Sequence, residues 1–209
     1  MTQKIISFFL LVALLPVFLV VSIFILLSSK GGIFFMQERV GKNFKKFHII
    51  KFRTMKLGAY DSNKYIKSEP LNEITGVGKF LRLSSLDELP QLINILKGDM
   101  AFIGPRPVVP VQLLSIKKCF HNRFDVLPGI TGFAQIEGRR IINWNEQLEK
   151  DLLTVDFIRS KKFSAIVKII VKTFFSVLAH NNIYASKNTI NWRDCVNSED
   201  NLYNFINKS

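Results

Sequence analysis

The sequence has few of the residues that build disulfide frameworks and metal centres. Its 209 residues include two cysteines, Cys119 and Cys195, which are far apart and show no CxxC spacing. The three histidines, His48, His121 and His180, form no metal-ligand pattern. We therefore expect a protein from a reducing compartment, without a zinc site or a disulfide-dependent fold.

Acidic side chains are also scarce beside basic ones. The chain has 16 Asp and Glu against 29 Lys and Arg, so its formal net charge is +13. Such a charge favours anionic partners, but it does not by itself distinguish nucleic acid from phospholipid headgroups or phosphorylated substrates. The length is that of one domain with a normal hydrophobic core, with room for a membrane appendage.

One long segment lacks charge altogether. Residues 5–28 are nearly all apolar, and a straight helix of that length would cover about 36 Å, which is enough to span a bilayer. The run exceeds the roughly 7 to 15 apolar residues of a secretory signal peptide, and no small-x-small cleavage site follows it. A membrane anchor is therefore favoured over a signal peptide, and the basic remainder of the chain would lie on the cytoplasmic side.

Pro16 interrupts this apolar segment near its middle. Its missing N–H removes a helical hydrogen bond and its ring pushes the helix to bend, so we expect a kink at Leu15 and Pro16. The residues alone fit a kinked transmembrane helix as well as a helix that turns back within one leaflet.

The rest of the chain mixes short strands with helices, which predicts an α+β fold that is mainly helical. Lys51 and Arg53 would project from one face of a strand, and Gly98 would end a helix. The expected elements are a turn at residues 37–41, a strand or hairpin at 47–55, a polar loop at 58–70, helices at 80–83, 86–96 and 144–157, an extended run at 105–110, turns at 127–132, a basic amphipathic helix at 161–174 and a polar tail after His180. The basic helix suits either the lipid headgroup region or the surface of the core.

Two adjacent carboxylates, Asp87 and Glu88, stand at the expected start of the 86–96 helix. In a structural interpretation, Ser85 and Glu88 form a capping box and Asp87 adds charge near the positive end of the helix dipole, while Pro90 forces the helix start to shift or bend. In a functional interpretation, a carboxylate at such a helix end attacks phosphorus or holds Mg²⁺, and Arg82 offers its guanidinium to a phosphate. Taken locally, the capping box is the more common arrangement.

Several motifs follow one another in a fixed order between residues 16 and 139. They are Gln37-x-Arg39-x-Gly41, Lys51-Phe52-Arg53-Thr54-Met55, Gly78-Lys79-Phe80-Leu81-Arg82, Ser85-Leu86-Asp87-Glu88-Leu89-Pro90-Gln91-Leu92-x-Asn94, Lys97-Gly98-Asp99-Met100, Gly104-Pro105-Arg106-Pro107 and Pro128-Gly129-Ile130-Thr131-Gly132-Phe133-Ala134-Gln135. With these motifs the sequence resembles the monotopic phosphoglycosyl transferases, the bacterial sugar transferase family that starts lipid-linked glycan assembly.

The resemblance implies an architecture and a location. It implies a re-entrant, broken membrane helix in residues 1–30, a cytoplasmic domain in residues 31–180 and a polar tail in residues 181–209. The cytoplasmic domain would hold a small β element and amphipathic helices at the interface. The protein would lie in the lipids of the bacterial cytoplasmic (inner) membrane, with its catalytic domain on the cytoplasmic face.

The resemblance also implies a reaction. The family transfers a sugar-1-phosphate from a UDP-sugar to polyprenyl (undecaprenyl) phosphate with Mg²⁺ and releases UMP, as the first membrane step towards exopolysaccharide, capsule or lipopolysaccharide. By this analogy Asp87 is the nucleophile that forms an aspartyl phosphosugar, and also the Mg²⁺ contact, while Glu88 is its acid–base partner. The implied substrate-binding residues are Arg82, Lys51, Arg53, Thr54, Pro105, Arg106 and Pro107, of which the last three shape the uridine end.

The resemblance is weaker in several places, and one other class of protein stays open. Leu15 stands where relatives usually carry Ser before the kink proline, and residues 1–7 hold Lys4 in place of the family's basic patch. Phe133 replaces the family's common Trp, and residues 151–173 keep its acceptor-side pattern poorly. A membrane-tethered protein that binds nucleic acid or acidic lipids through its basic surface would explain the charge and the anchor, but would leave the acidic pair and the Pro-Arg-Pro turn unused. We therefore expect an enzyme with no nucleic-acid partner, and the sequence leaves open its sugar, its glycan and whether it forms a homodimer.

Overall fold

A computed structural model describes residues 1–58, 73–136, 143–160, 169 and 171–173. Its contacts divide the chain into two compact units, Met1–Gln37 with His48–Gly98, and Glu38–Phe47 with Asp99–Ser209. The predicted 58–70 loop beyond Gly58, most of the predicted basic helix and the predicted tail lie outside the described residues. The boundaries expected at residues 30 and 180 stay predictions.

The apolar N-terminal segment of the first unit is broken in two, as predicted. Helix α1 (Thr2–Ala13) and helix α2 (Leu15–Ser28) meet at an angle of 61°. Leu14 separates them with φ −90° and ψ 1°, and Pro16 lies in the first turn of α2, where its missing N–H is tolerated. Within the described part of the chain, no single helix is long and apolar enough to cross a membrane, whereas the bent pair together meets that test.

One face of α1 packs against helix α4 (Gln91–Lys97). Ser7 is fully buried and its hydroxyl donates a 2.6 Å hydrogen bond to the Leu92 carbonyl. Lys4 Nζ donates to the Lys97 carbonyl at 3.3 Å, at the negative end of α4. The first helix is therefore held by polar contacts to the globular part of its unit, which the hydropathy pattern alone did not predict.

Two strands, β1 (Phe34–Val40) and β2 (Lys46–Phe52), pair into a small sheet. The prediction of a strand at 47–55 is confirmed, but the prediction of a turn at 37–41 is wrong because most of that segment belongs to β1. The chain instead reverses after Gly41, whose N–H donates to the Lys45 carbonyl at 2.9 Å. Asn43 adopts the left-handed conformation there, which asparagine tolerates better than most residues.

Helix α3 (Gly76–Leu83) follows and extends the helix predicted at 80–83. Thr75 caps it, because its hydroxyl accepts a 2.9 Å hydrogen bond from the Gly78 N–H. The buried core of the first unit joins α2, β2 and α3 through Val21, Ile25, Phe52 and Leu81. Helix α4 ends at Gly98 as predicted, where a left-handed backbone (φ 94°) suits glycine.

The second unit contains a parallel pair of short strands, β3 (Ala101–Ile103) and β4 (Gly129–Thr131). Ala101 pairs with Gly129, and Ile103 pairs with Thr131. The prediction of turns throughout 127–132 is therefore wrong in its centre. A side chain at Gly129 would collide with the backbone of Gly104, so this glycine permits a close strand approach and not a turn.

Helices complete the second unit. The short helix α5 (Phe133–Ile136) precedes α6 (Trp144–Ser160), which confirms the helix predicted at 144–157. The core of this unit is formed by Val40, Val108, Leu113, Ile116, Phe124, Trp144 and Leu148. The described residues are thus mostly helical with two small sheets, which confirms the predicted α+β, mainly helical class.

Candidate functional site

Asp87 and Glu88 lie in a short 3₁₀ turn, Leu86–Glu88, between α3 and α4. The capping-box interpretation is wrong. Ser85 has a left-handed backbone (φ 56°, ψ 14°) that redirects the chain after α3, and its side chain caps no N–H of the described turn. The bend expected at Pro90 is confirmed, because α4 starts only at the next residue.

The two adjacent acids have different surroundings. Glu88 is buried, and its Oε1 lies 2.8 Å from Lys51 Nζ. The side chains of Lys51 and Glu88 are 17% and 7% exposed, so this ion pair is largely withdrawn from water and strongly oriented. Asp87 is only half-buried. Glu88 is therefore fixed by a cation, while Asp87 keeps part of its surface accessible.

Asn94 holds the two elements that carry this ion pair. Its fully buried amide accepts a hydrogen bond from the Ile50 N–H at 3.0 Å and donates to the His48 carbonyl at 2.7 Å. These contacts fasten α4, which follows Glu88, to β2, which carries Lys51. Asn94 had no predicted role, although an amide within the apolar run 92–96 is a signal for a buried polar contact.

Arg82 and Thr54 form a second group in the first unit. Arg82 Nε donates to Thr54 Oγ1 at 2.9 Å, and the Thr75 N–H donates to the Thr54 carbonyl at 3.1 Å. A Cβ at Gly78 would collide with the backbone of Thr54, so α3 can approach this closely only with glycine there. The glycine thereby sets the position of Arg82, one turn further along α3.

Arg53 lies elsewhere. Its guanidinium donates to the carbonyls of Ser29 and Lys30 at 2.8 and 2.7 Å, just beyond the end of α2. Cations are favoured at this end of a helix because its last carbonyls lack partners. The structure thus joins Lys51 to Glu88 and Thr54 to Arg82, and joins Arg53 to the end of α2.

The Pro105-Arg106-Pro107 turn belongs to the second unit. All three of its carbonyls accept hydrogen bonds: Pro105 from the Gly129 N–H, Arg106 from Arg123 and Pro107 from Arg39. The turn lines a shallow open pocket, together with Gly41, Arg123 and Phe124 among others. Arg106 is half-buried, so its guanidinium can meet an anionic group in this pocket, whereas the Arg123 side chain is only 1% exposed.

A buried ion pair supports this turn. Arg123 Nη2 lies 2.6 Å from Asp151 Oδ2, and the two side chains are 1% and 0% exposed. Burial raises the pKa of Asp151, and the positive charge of Arg123 acts in the opposite direction. Neither residue was predicted from the sequence, although Asp151 shares the buried face of α6 with Leu148 and Val155, and an acid on an apolar face signals a buried partner.

Comparison with known proteins supports the family that the motifs suggest. A family model described as bacterial sugar transferase matches residues 1–180. The UDP-glucose:undecaprenyl-phosphate glucose-1-phosphate transferase of Xanthomonas campestris pv. campestris is 35% identical over 192 residues, which cover 87% of this chain and 39% of the relative. The galactosyl transferase CpsE of Streptococcus agalactiae is 36% identical over 159 residues, covering 71% and 35%.

A third relative is closer in length. The exopolysaccharide production protein ExoY of Sinorhizobium fredii is 33% identical over 189 residues, which cover 83% of this chain and 82% of the relative. The chain thus spans about two fifths of the Xanthomonas protein and most of the Sinorhizobium protein. Because the family model covers most of the chain and a relative of similar length aligns almost throughout, the chain belongs to the bacterial sugar transferase family.

Proposed function

We propose that the chain is a phosphoglycosyl transferase that moves a sugar-1-phosphate from a UDP-sugar to polyprenyl (undecaprenyl) phosphate and releases UMP. One observation carries this proposal: the half-buried Asp87 lies next to Glu88, whose carboxylate is held by Lys51 at 2.8 Å. The names of relatives support the substrate class, since one includes UDP-glucose and undecaprenyl phosphate. The product would start a surface glycan on its lipid carrier.

The reaction would proceed in two displacements. In the first, an Asp87 carboxylate oxygen attacks the sugar-bearing phosphorus, the bond between that phosphorus and the bridging oxygen breaks, and UMP leaves with that oxygen. In the second, an oxygen of polyprenyl phosphate attacks the aspartyl phosphosugar and restores the Asp87 carboxylate. Glu88 would take the proton of the acceptor phosphate, and Lys51 would orient the Glu88 carboxylate.

Arg82, and a Mg²⁺ ion bound by Asp87, would counter the negative charge of the substrates. Arg82, already oriented by Thr54, is the first candidate to donate to a phosphate oxygen. In the described part of the chain, no group of three or more His, Cys, Asp or Glu is arranged to hold a metal ion. That fits Mg²⁺, which commonly binds through one or two carboxylates plus substrate phosphates. Asp87 would hold the ion, which when bound neutralises charge on the diphosphate.

The bent pair α1 and α2 would be the membrane element, re-entering on the cytoplasmic face of the inner membrane. Many of its large apolar side chains are exposed, among them Phe8, Phe9, Leu19, Ile23, Phe24 and Leu27. A surface of this kind is unfavourable in water and is covered by lipid or protein. The net charge of +13 supports a cytoplasmic location near anionic lipids, to which each nearby Lys or Arg adds about 1 kcal/mol.

The test is UMP release by detergent-purified protein. We expect release from one member of a panel that includes UDP-glucose and UDP-galactose, and only with polyprenyl phosphate and Mg²⁺ present over many turnovers. Asp87→Asn should lower the rate on the order of 10⁴-fold or more, because the nucleophile is lost. Asp156→Asn, on the exposed face of α6, is the matched control and should retain activity.

Two results would contradict the proposal. One is an Asp87→Asn variant with the full rate of UMP release. The other is a wild-type protein that turns over no donor in the panel yet binds nucleic acid in a salt-sensitive manner, which would favour the binding-protein alternative.

A further inference from the structure

Arg106 is held at both of its main-chain polar groups by one ion pair. It is the only residue of Pro105-Arg106-Pro107 with an N–H, because proline has none. This N–H donates to Asp151 Oδ1 at 3.2 Å, and the Arg106 carbonyl accepts from Arg123 Nη2 at 2.7 Å. The backbone of Arg106 is therefore clamped between the two members of the buried pair.

The pair is too deeply buried to touch a substrate. The side chains of Arg123 and Asp151 are 1% and 0% exposed. Arg123 Nε and Nη1 also find no acceptor among the residues that the structure describes. Burial of such a pair often costs as much free energy as the attraction returns, so stability alone is a weak reason to keep it. A role through the residue that the pair holds explains it better.

We infer that Arg123 and Asp151 are positioning residues that fix the main chain of Arg106 so that its side chain is presented correctly to the nucleotide end of the donor. This inference rests on the proposed function. An effect transmitted through Arg106 changes donor affinity in the opposite direction to a direct electrostatic effect of Asp151. If Asp151 acted directly on the anionic donor, its removal would relieve repulsion and strengthen binding, whereas loss of a positioning residue weakens binding.

The test compares two double variants that remove the buried charges without leaving one unpaired. Arg123→Met with Asp151→Leu removes both contacts to Arg106, whereas Arg123→Met with Asp151→Asn keeps an oxygen that accepts from the Arg106 N–H. We expect the donor KM to rise about tenfold in the first variant and less in the second, with kcat within about threefold of wild type in both. Arg159→Met with Asp125→Asn is the control. It removes an ion pair of the same unit and the same 2.6 Å length that is 50% and 44% exposed, and should leave KM unchanged.

An unchanged or lowered donor KM in the folded Arg123→Met, Asp151→Leu variant would overturn the inference, as would a loss of activity confined to kcat.

Hydrogen exchange of the wild-type protein provides a second measurement that needs no variant. The Arg106 amide, the only backbone N–H of its tripeptide, should exchange slowly because its acceptor Asp151 is buried. Exchange at the rate of an open loop would refute the clamp. A wild-type protein that releases no UMP would instead contradict the proposed function, and the exchange rate would still test the clamp.

Discussion

The two units each contain a buried ion pair, and the pairs differ in what they leave accessible. In the first unit, Lys51 keeps 17% of its side chain exposed beside Glu88. In the second, the side chains of Arg123 and Asp151 are only 1% and 0% exposed, and we call them the sealed pair. A pair that retains some exposure can exchange a proton or contact a phosphate directly, whereas a sealed pair acts only on its neighbours. The first pair is therefore suited to chemistry and the second to holding a backbone in place.

The largest effect that separates the two pairs is on kcat. Replacing Lys51 with Met should lower kcat about 10² to 10³-fold, since Glu88 loses the cation that orients it and a candidate phosphate contact disappears. The measurement is steady-state UMP release at saturating donor and acceptor. By contrast, the variants of the sealed pair should change KM more than kcat.

The hairpin offers a matched control for this variant. Lys46 forms an exposed ion pair with Glu38 at 3.1 Å, with side chains 63% and 42% exposed, on the same strand that carries Lys51. Lys46→Met should leave kcat near the wild-type value because such pairs contribute little. An equal loss of kcat in the Lys46→Met and Lys51→Met variants would contradict the catalytic role expected of Lys51.

A smaller effect concerns how the first unit places Arg82. Gly78→Ala should destabilise the protein by about 1 to 3 kcal/mol, because the added methyl group would collide with the Thr54 backbone and push α3 away. Gly76→Ala is the control in the same helix, since a Cβ there meets no heavy atom within 4 Å. The change should be neutral or stabilising at Gly76. Thermal unfolding of the two variants measures the difference, and equal melting temperatures would contradict the close approach of α3 to Thr54.

The smallest expected effect is the pH dependence of the sealed pair. Because burial raises the pKa of Asp151 above its ordinary 3.8, its contribution to stability is fully present below about pH 4 and is lost as the pH rises through the folded-state pKa. The Arg123→Met, Asp151→Leu variant does not lose this stability as the pH rises, because leucine does not titrate. Its melting temperature relative to wild type should therefore be higher at pH 7 than at pH 4, by about 2 to 4 °C per kcal/mol of difference. A relative melting temperature that falls over this range would show that the ion pair stabilises the fold.

Several local features followed from the residues alone. The break at Pro16 and the end of α4 at Gly98 rest on strong local signals, namely a missing N–H and a glycine that tolerates a left-handed backbone. Local signals misled at Ser85 and at Gly129. Ser85 has a left-handed backbone in place of a capping role, and Gly129 is decided by its close approach to Gly104, which is distant in sequence.

The candidate site likewise combines residues that the sequence identifies with partners that only the structure shows. Asp87, Glu88, Lys51 and Arg82 were identified as candidates because they lie in ordered motifs. The partner of each one, and the divergent role of Arg53 at the end of α2, depend on which strand or helix end lies opposite. Asn94, Arg123 and Asp151 escaped notice because a buried polar residue is recognised by its partners, and those partners are 17 to 46 residues away along the chain.

The sequence by itself determined the scarcity of cysteine and histidine, the excess of basic charge, the broken apolar segment and the family's ordered motifs, because these depend on residue type and spacing. Only the tertiary structure decided that Glu88 pairs with Lys51 and that Arg82 donates a hydrogen bond to Thr54. It also decided that the sealed pair holds the backbone of Arg106 by hydrogen bonds. The physical reason is that a side chain's partner, burial and hydrogen bonds are set by packing between segments far apart in sequence, where burial of polar groups demands that each contact be satisfied.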